Sequence, residues 1–159
     1  MALTVVIGIG NPIRGDDALG WAVTEALQDV VSGEGIEFLC VQQLTMDLVE
    51  LLGQACQAFF IDAKAGEAIG RLEITEIDAN TSLDTPISHF FDPHTLLSVV
   101  QALYGTHPQA RLYTVTSNSF EITEELTPQI RAVIPKLVSQ IISDLIDTHP
   151  DLTIRLQTE

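Results

Sequence analysis

Two cysteines and seven basic residues are all that this 159-residue chain has of either kind. Cys40 and Cys56 form no Cys-x-x-Cys pair, which argues against a thiolate zinc cage and a disulfide-stapled scaffold. Both stand among apolar neighbours and read as core thiols of a reducing compartment. Seven Lys and Arg against 22 Asp and Glu leave a formal net charge of -15, which opposes binding to nucleic acid or to an anionic membrane surface. No apolar run approaches the roughly 20 residues that span a bilayer, and the first residues show neither a charged n-region nor a small-residue cleavage site. A soluble, cytoplasmic protein is expected. Heptads and exposed apolar stripes are also missing, so a monomer is expected. There is no Gly-x-Ser-x-Gly elbow, and Ser117 and Ser119 read as turn-bonding residues rather than nucleophiles.

What the chain does have is a regular alternation of strand and helix patterns in a composition that is 46% apolar. Residues 3–8, 36–41, 58–61 and 111–117 read as buried strands, and 71–77 alternates as a one-sided strand would. Helical spacing recurs from Ala18 to Leu27, from Leu48 to Leu52, from Leu96 to Leu103 and from Ile130 to Leu145. Asp92-Pro93 and Thr127-Pro128 are cap-then-proline signals, Thr45 reads as a cap, and Gly53 and Gly105 read as helix stops. Pro135 falls inside the last helix, where a kink is expected. The pattern predicts an α/β fold: a three-layer α/β/α sandwich around a mixed, mostly parallel sheet of about five strands. The short 64–70 turn suggests that strand 71–77 runs antiparallel beside the strand before it. A single domain is expected over 1–148, with 149–159 a tail lacking periodicity and expected to be mobile.

The chemistry concentrates at Gly8-Ile9-Gly10-Asn11-Pro12-Ile13-Arg14-Gly15-Asp16-Asp17-Ala18-Leu19-Gly20, between the first strand and the first helix. Open α/β sheets place ligands in such loops. A dinucleotide site is disfavoured, because Ile13 stands where the third glycine belongs and Asp16-Asp17 would face a pyrophosphate with like charge. Asp62 ends a wholly apolar strand and should emerge on the same sheet edge. Asp17, Asp62 and one of His89 or His94 together suit a borderline divalent ion with coordination positions left open. Either member of the Asp16-Asp17 pair could instead cap the helix that follows. His107 and His149 each precede a proline and read as surface residues without a chemical role.

The first motif, taken with Gln43-Leu44-Thr45-Met46-Asp47-Leu48, Phe60-Ile61-Asp62-Ala63, Ser88-His89, Pro93, Leu96-Leu97, Leu103-Tyr104-Gly105 and Ser119-Phe120-Glu121, resembles the hydrogenase maturation endopeptidases. The resemblance runs to about Leu145. It implies a phosphorylase/hydrolase-like fold and a carboxylate- and metal-linked endopeptidase. Such an enzyme removes the C-terminal extension of a nickel-iron hydrogenase large-subunit precursor once nickel is in place. By the same resemblance Asp17 and Asp62 match the acidic nickel ligands. The histidine four residues before Pro93 favours His89 over His94 as the third. The nickel would arrive with the substrate, so no resident cofactor is required. Gln43-Leu44-Thr45 resembles the bidirectional-hydrogenase subgroup. A non-catalytic nickel-binding or chaperone-like module for a metalloenzyme precursor is the alternative from another functional class.

Overall fold

The computed structural model describes residues 2–79 and 91–155. The first apolar run forms β1 (Thr4–Ile9), every residue of which is buried. It leads through a single 3-10 turn, Gly15–Ala18, into α1 (Leu19–Val30). There follow the two-residue β2 (Val31–Ser32), β3 (Ile36–Val41), α2 (Val49–Gln54), β4 (Gln57–Ala65) and β5 (Leu72–Ile77). Beyond the undescribed 80–90 come α3 (Pro93–Tyr104), β6 (Gln109–Ser117), α4 (Pro128–Thr148) and the two-residue β7 (Thr153–Ile154). The main sheet has the order β3-β1-β4-β6-β5, with all pairings parallel except that of β5 with β6.

Successive strand residues point to opposite faces, and the two cores follow that alternation. Val5, Ile7, Ala58 and Phe60 meet Leu48, Val49 and Leu52 before and within α2, and Leu96, Leu97 and Val100 of α3. Val6, Phe59, Ile61, Tyr113 and Val115 meet Leu19, Val23 and Leu27 of α1, and Ile130, Leu137, Ile141 and Leu145 of α4. The expected three-layer sandwich is therefore the architecture.

Several details differ from expectation for identifiable reasons. β5 is the antiparallel edge strand, but its neighbour is β6 and not β4. β4 buries Ala58 to Ile61 completely and needs a strand on each side, whereas the half-exposed β5 tolerates an edge. Gly53 does not stop α2, which runs on to Gln54. A Cβ at Gly53 would lie 2.7 Å from the Tyr104 ring, so the glycine makes room for α3. α4 continues through Pro135, which faces solvent, where water can satisfy the carbonyl left without a donor. Asp92 caps α3 as expected, its Oδ1 accepting from Thr95 N at 2.7 Å, and Gly105 ends that helix with φ of 74°. Neither cysteine lies in the core: Cys40 is half-buried and Cys56 is exposed, at the strand boundary where apolar neighbours do not imply burial. Residues 151–155, read as part of a mobile tail, are instead tied down. β7 pairs antiparallel with β2, and Leu152 packs on the α1/α4 core.

Gly8 and Gly20 set how closely α1 approaches the sheet. A Cβ on Gly8 would fall on the Gly20 carbonyl, and one on Gly20 would fall on the carbonyl of Ile61 and the backbone of Ile9. These neighbours are backbone atoms that cannot swing aside. Gly20→Ala is expected to lower stability by about 3 kcal/mol, read as a reduced midpoint in urea unfolding. An unchanged midpoint would show that the helix can ride outward freely.

Candidate active site

The C-terminal edge of β1 and β4 is where the acidic residues gather. Gly10, at φ 145°, lets the chain turn sharply after β1, with Gly10 N donating to Val41 O at 3.0 Å. A Cβ there would occupy the place of the Asp17 carbonyl. Asn11 Oδ1 accepts from Ile13 N at 3.1 Å, closing a side-chain turn, and Asn11 N donates to Asp17 Oδ2 at 2.8 Å. One Asp17 oxygen is thereby fixed by the loop's own backbone.

Asp16 has a different fate, and sequence reasoning missed it. It is 1% exposed and caps no helix. Its Oδ2 accepts from Ser117 Oγ at 2.6 Å and from Thr127 Oγ1 at 2.8 Å, and its Oδ1 accepts from Thr127 N at 2.8 Å. The Thr127 hydroxyl, expected to cap α4, is diverted to this carboxylate. Ser117 also accepts from Ser119 N at 3.1 Å, so these serines serve the turn, as expected. Cys40 is no better placed as a nucleophile, because burial first and the Glu25 charge second push its thiol pKa up, away from the thiolate.

Asp62 lies one residue beyond the last β1–β4 pair, Gly8↔Ile61, and opposite Thr114 of β6. Burial raises its pKa to about 7, and the nearby charge of Asp17 adds to the rise, while the Ala63 N–H offsets part of it. The structure thus brings Asp17 and Asp62 close enough to repel. Two carboxylates so placed can supply oxygen ligands to a cation, and Asp62 can hold or release a proton near neutral pH.

No protein-family model and no curated protein sequence matches the chain. Solved structures do. The hydrogenase maturating endopeptidase HybD from E. coli superposes with a TM-score of 0.77 at 23% identity, covering 96% of each chain. The [NiFe] hydrogenase maturation protease HycI from Thermococcus kodakarensis KOD1 gives 0.70 at 26% identity, covering 88% of this chain and 90% of its own. An endopeptidase from Escherichia coli solved in solution gives 0.73 at 21% identity, covering 98% and 99%. The fold is that of the hydrogenase maturation endopeptidases. The structural likeness agrees with the fold that the motif resemblance implies; the bidirectional subgroup is not distinguished by either structural likeness or geometry.

Within this hydrogenase-protease fold the two candidate histidines separate. His89 lies outside the described residues. His94 sits in the first turn of α3, and its Nδ1 is 3.0 Å from Asp78 O, just past the end of β5. Ile77 pairs with Ala110, four residues before the Thr114 that faces Asp62, so this ring is anchored about 13 Å further down the sheet. The structure does not bring His94 to the carboxylates. Among the described residues, no three His, Cys, Asp or Glu side chains are grouped to hold a metal ion. His107 Nδ1 stays local, 2.8 Å from Pro108 O, while His149 Nε2 is 2.7 Å from the buried Thr4 hydroxyl and joins α4 to β1. Among the described residues no helix is long and apolar enough to cross a membrane.

The raised Asp62 pKa makes a stability prediction for the metal-free protein. Between the ordinary carboxylate value of 3.8 and about 7 the folded state holds a proton that the unfolded state has released. Stability should therefore fall as pH rises through that window and level off above it. Asp62→Asn is expected to flatten the slope and add about 1–3 kcal/mol at pH 8, measured by denaturant unfolding across pH. Equal slopes in both proteins would remove Asp62 as their source.

Proposed function

We propose that this chain is an endopeptidase that removes the C-terminal extension of a nickel-iron hydrogenase large-subunit precursor after nickel insertion. The observation that carries the reading is the close Asp17–Asp62 pair at the C-terminal edge of a sheet whose fold is shared with hydrogenase maturation endopeptidases. In this reading nickel belongs to the substrate. Asp17 and Asp62 offer it oxygen ligands, and His89 supplies the third.

The donor set fits such an ion. A divalent charge beside the pair favours both ionised carboxylates, so its arrival would displace the proton that Asp62 holds. A precursor without nickel would leave the proton on Asp62 and bring no ion for the carboxylates to share. The ion, or the carboxylate freed of its proton, would polarise the scissile carbonyl or the attacking water. Ser117 is engaged with Asp16 and the Cys40 thiol is pushed away from its thiolate, so the reading takes water as the attacking group. Gln43-Leu44-Thr45 supports a substrate of the bidirectional-hydrogenase type.

The test is intact mass of a nickel-loaded large-subunit precursor after incubation with the protein, beside a nickel-free precursor. Loss of a C-terminal peptide from the loaded form alone is expected. Asp17→Asn and Asp62→Asn should each slow cleavage by about 100-fold or more while remaining folded by circular dichroism. Stable binding without any mass change would instead identify a nickel-sensing chaperone-like module, and retained cleavage in both variants would remove the carboxylates from the mechanism.

A further inference from the structure

β4 is longer than its neighbour β1, and the excess lies beside the carboxylates. The β1–β4 ladder ends at Gly8↔Ile61, whereas the β4–β6 ladder continues to Ala65↔Ser117. Gln57 N donates towards β1, to Leu3 O, and Gly66 N donates towards β6, to Ser117 O. Since backbone groups alternate sides along a strand, the odd-numbered residues of β4 turn their N–H and C=O towards the β1 side. Ala63 and Ala65 therefore present their backbone groups where β1 has already ended. The Ala63 N–H serves the Asp62 carboxylate. Ala63 C=O and Ala65 N–H remain as an acceptor and donor two residues apart, and no described strand covers them.

The space in front of this edge is a depression lined by Arg14, Asp17, Ala63, Ala65 and Phe120. The two alanines leave room above the strand, and Phe120 supplies an apolar wall. Arg14 is exposed, and among the described residues its side chain makes one hydrogen bond, from Nε to Phe120 O at a long 3.4 Å. Its guanidinium is a cation at the rim of a strongly acidic protein. The neighbouring Ile13 and Ile122 are 49% and 85% exposed, apolar surface of the kind that a protein partner covers.

We propose that this edge binds the substrate by β-augmentation: an extended segment of the precursor flanking its scissile bond adds as a strand beside residues 63–65. Its backbone N–H would donate to Ala63 C=O, and its C=O would accept from Ala65 N–H. The segment carries a small or apolar side chain over the alanines and Phe120, and a carboxylate, from an acidic side chain or the chain end, for Arg14. A strand laid there runs past Asp17 and Asp62, which brings a peptide carbonyl to the reacting pair. The inference rests on the proposed endopeptidase reading and adds how the peptide is held.

Ala65→Pro tests it, because proline removes the one N–H in question and is tolerated where that N–H faces no strand. The variant is expected to raise KM for the nickel-loaded precursor by about tenfold, with kcat changed far less. Arg14→Gln should raise KM in the same direction. Should Ala65→Pro not fold, amide exchange on the wild-type protein decides: under saturating precursor, exchange at residue 65 should slow by about fivefold or more. A folded Ala65→Pro variant with wild-type KM, or unprotected exchange at residue 65 during turnover, overturns the β-augmentation alone. Absence of cleavage by the wild-type protein overturns the endopeptidase reading and this assignment with it. Protection that grows with the concentration of this chain in the absence of precursor would assign the edge to a second copy and overturn it too.

Discussion

A buried carboxylate holds the candidate site together. Asp16 lies at the end of the loop that follows β1, and its three hydrogen bonds come from Ser117 and Thr127, where β6 ends and α4 begins. Burying a carboxylate costs several kcal/mol unless donors surround it, and removing a donor would leave that cost uncompensated. The contact therefore constrains both loops at once. Asp16 N also donates to Ser119 O at 3.1 Å, and Gly15 N to Thr123 O at 2.9 Å, so the backbone repeats the tie. Adjacent acids are thus divided between two tasks: Asp16 fixes the loop, and Asp17 is presented beside Asp62.

A second buried polar cluster does similar work deeper in the fold. Tyr113 donates to Asp144 Oδ2 at 2.6 Å, while Arg111 Nη1 lies 3.3 Å and Gln140 Nε2 3.2 Å from Oδ1. Burial and the Asp144 carboxylate push the Tyr113 phenol above its ordinary pKa, so it stays a donor. Together with Asp16 this locks α4 to β6 at two levels, and α4 in turn backs the strands that carry the edge near Asp62.

The sheet, its helices and the emergence of Asp17 and Asp62 on one sheet edge were legible in the sequence because each depends on local signals. Apolar runs, cap-then-proline pairs and an abrupt acid after Phe60-Ile61 are all read over a few residues. What was not legible depends on partners far along the chain. Asp16 looks like a helix cap until Ser117 and Thr127 arrive from more than 100 positions away. Gly53 looks like a stop until Tyr104 fills its missing side chain. Strand 72–77 looks like the second arm of a hairpin until β6 inserts between it and β4. The pairing of 153–154 with 31–32 has no sequence signature at all, since two-residue strands carry no periodicity. His94, the less favoured alternative to His89 in the sequence, shows the same limit from the other side: its ring meets the end of β5.

Asp62 is held, beside Asp17, in an arrangement that disfavours its own charge. A protein gains nothing in stability from an ionised carboxylate so placed, because burial first and the Asp17 charge second favour a proton retained on Asp62 near neutral pH. Sites of this kind persist where the missing positive charge comes from elsewhere. On the proposed reading it comes with the substrate, and proton and metal compete for the same oxygens. A partner lacking the ion would have to approach a chain of net charge -15 with nothing to offset it. Discrimination between loaded and unloaded precursors then requires no conformational change in the protease. It follows from the electrostatics of two carboxylates held close by a loop that Asp16 keeps from relaxing.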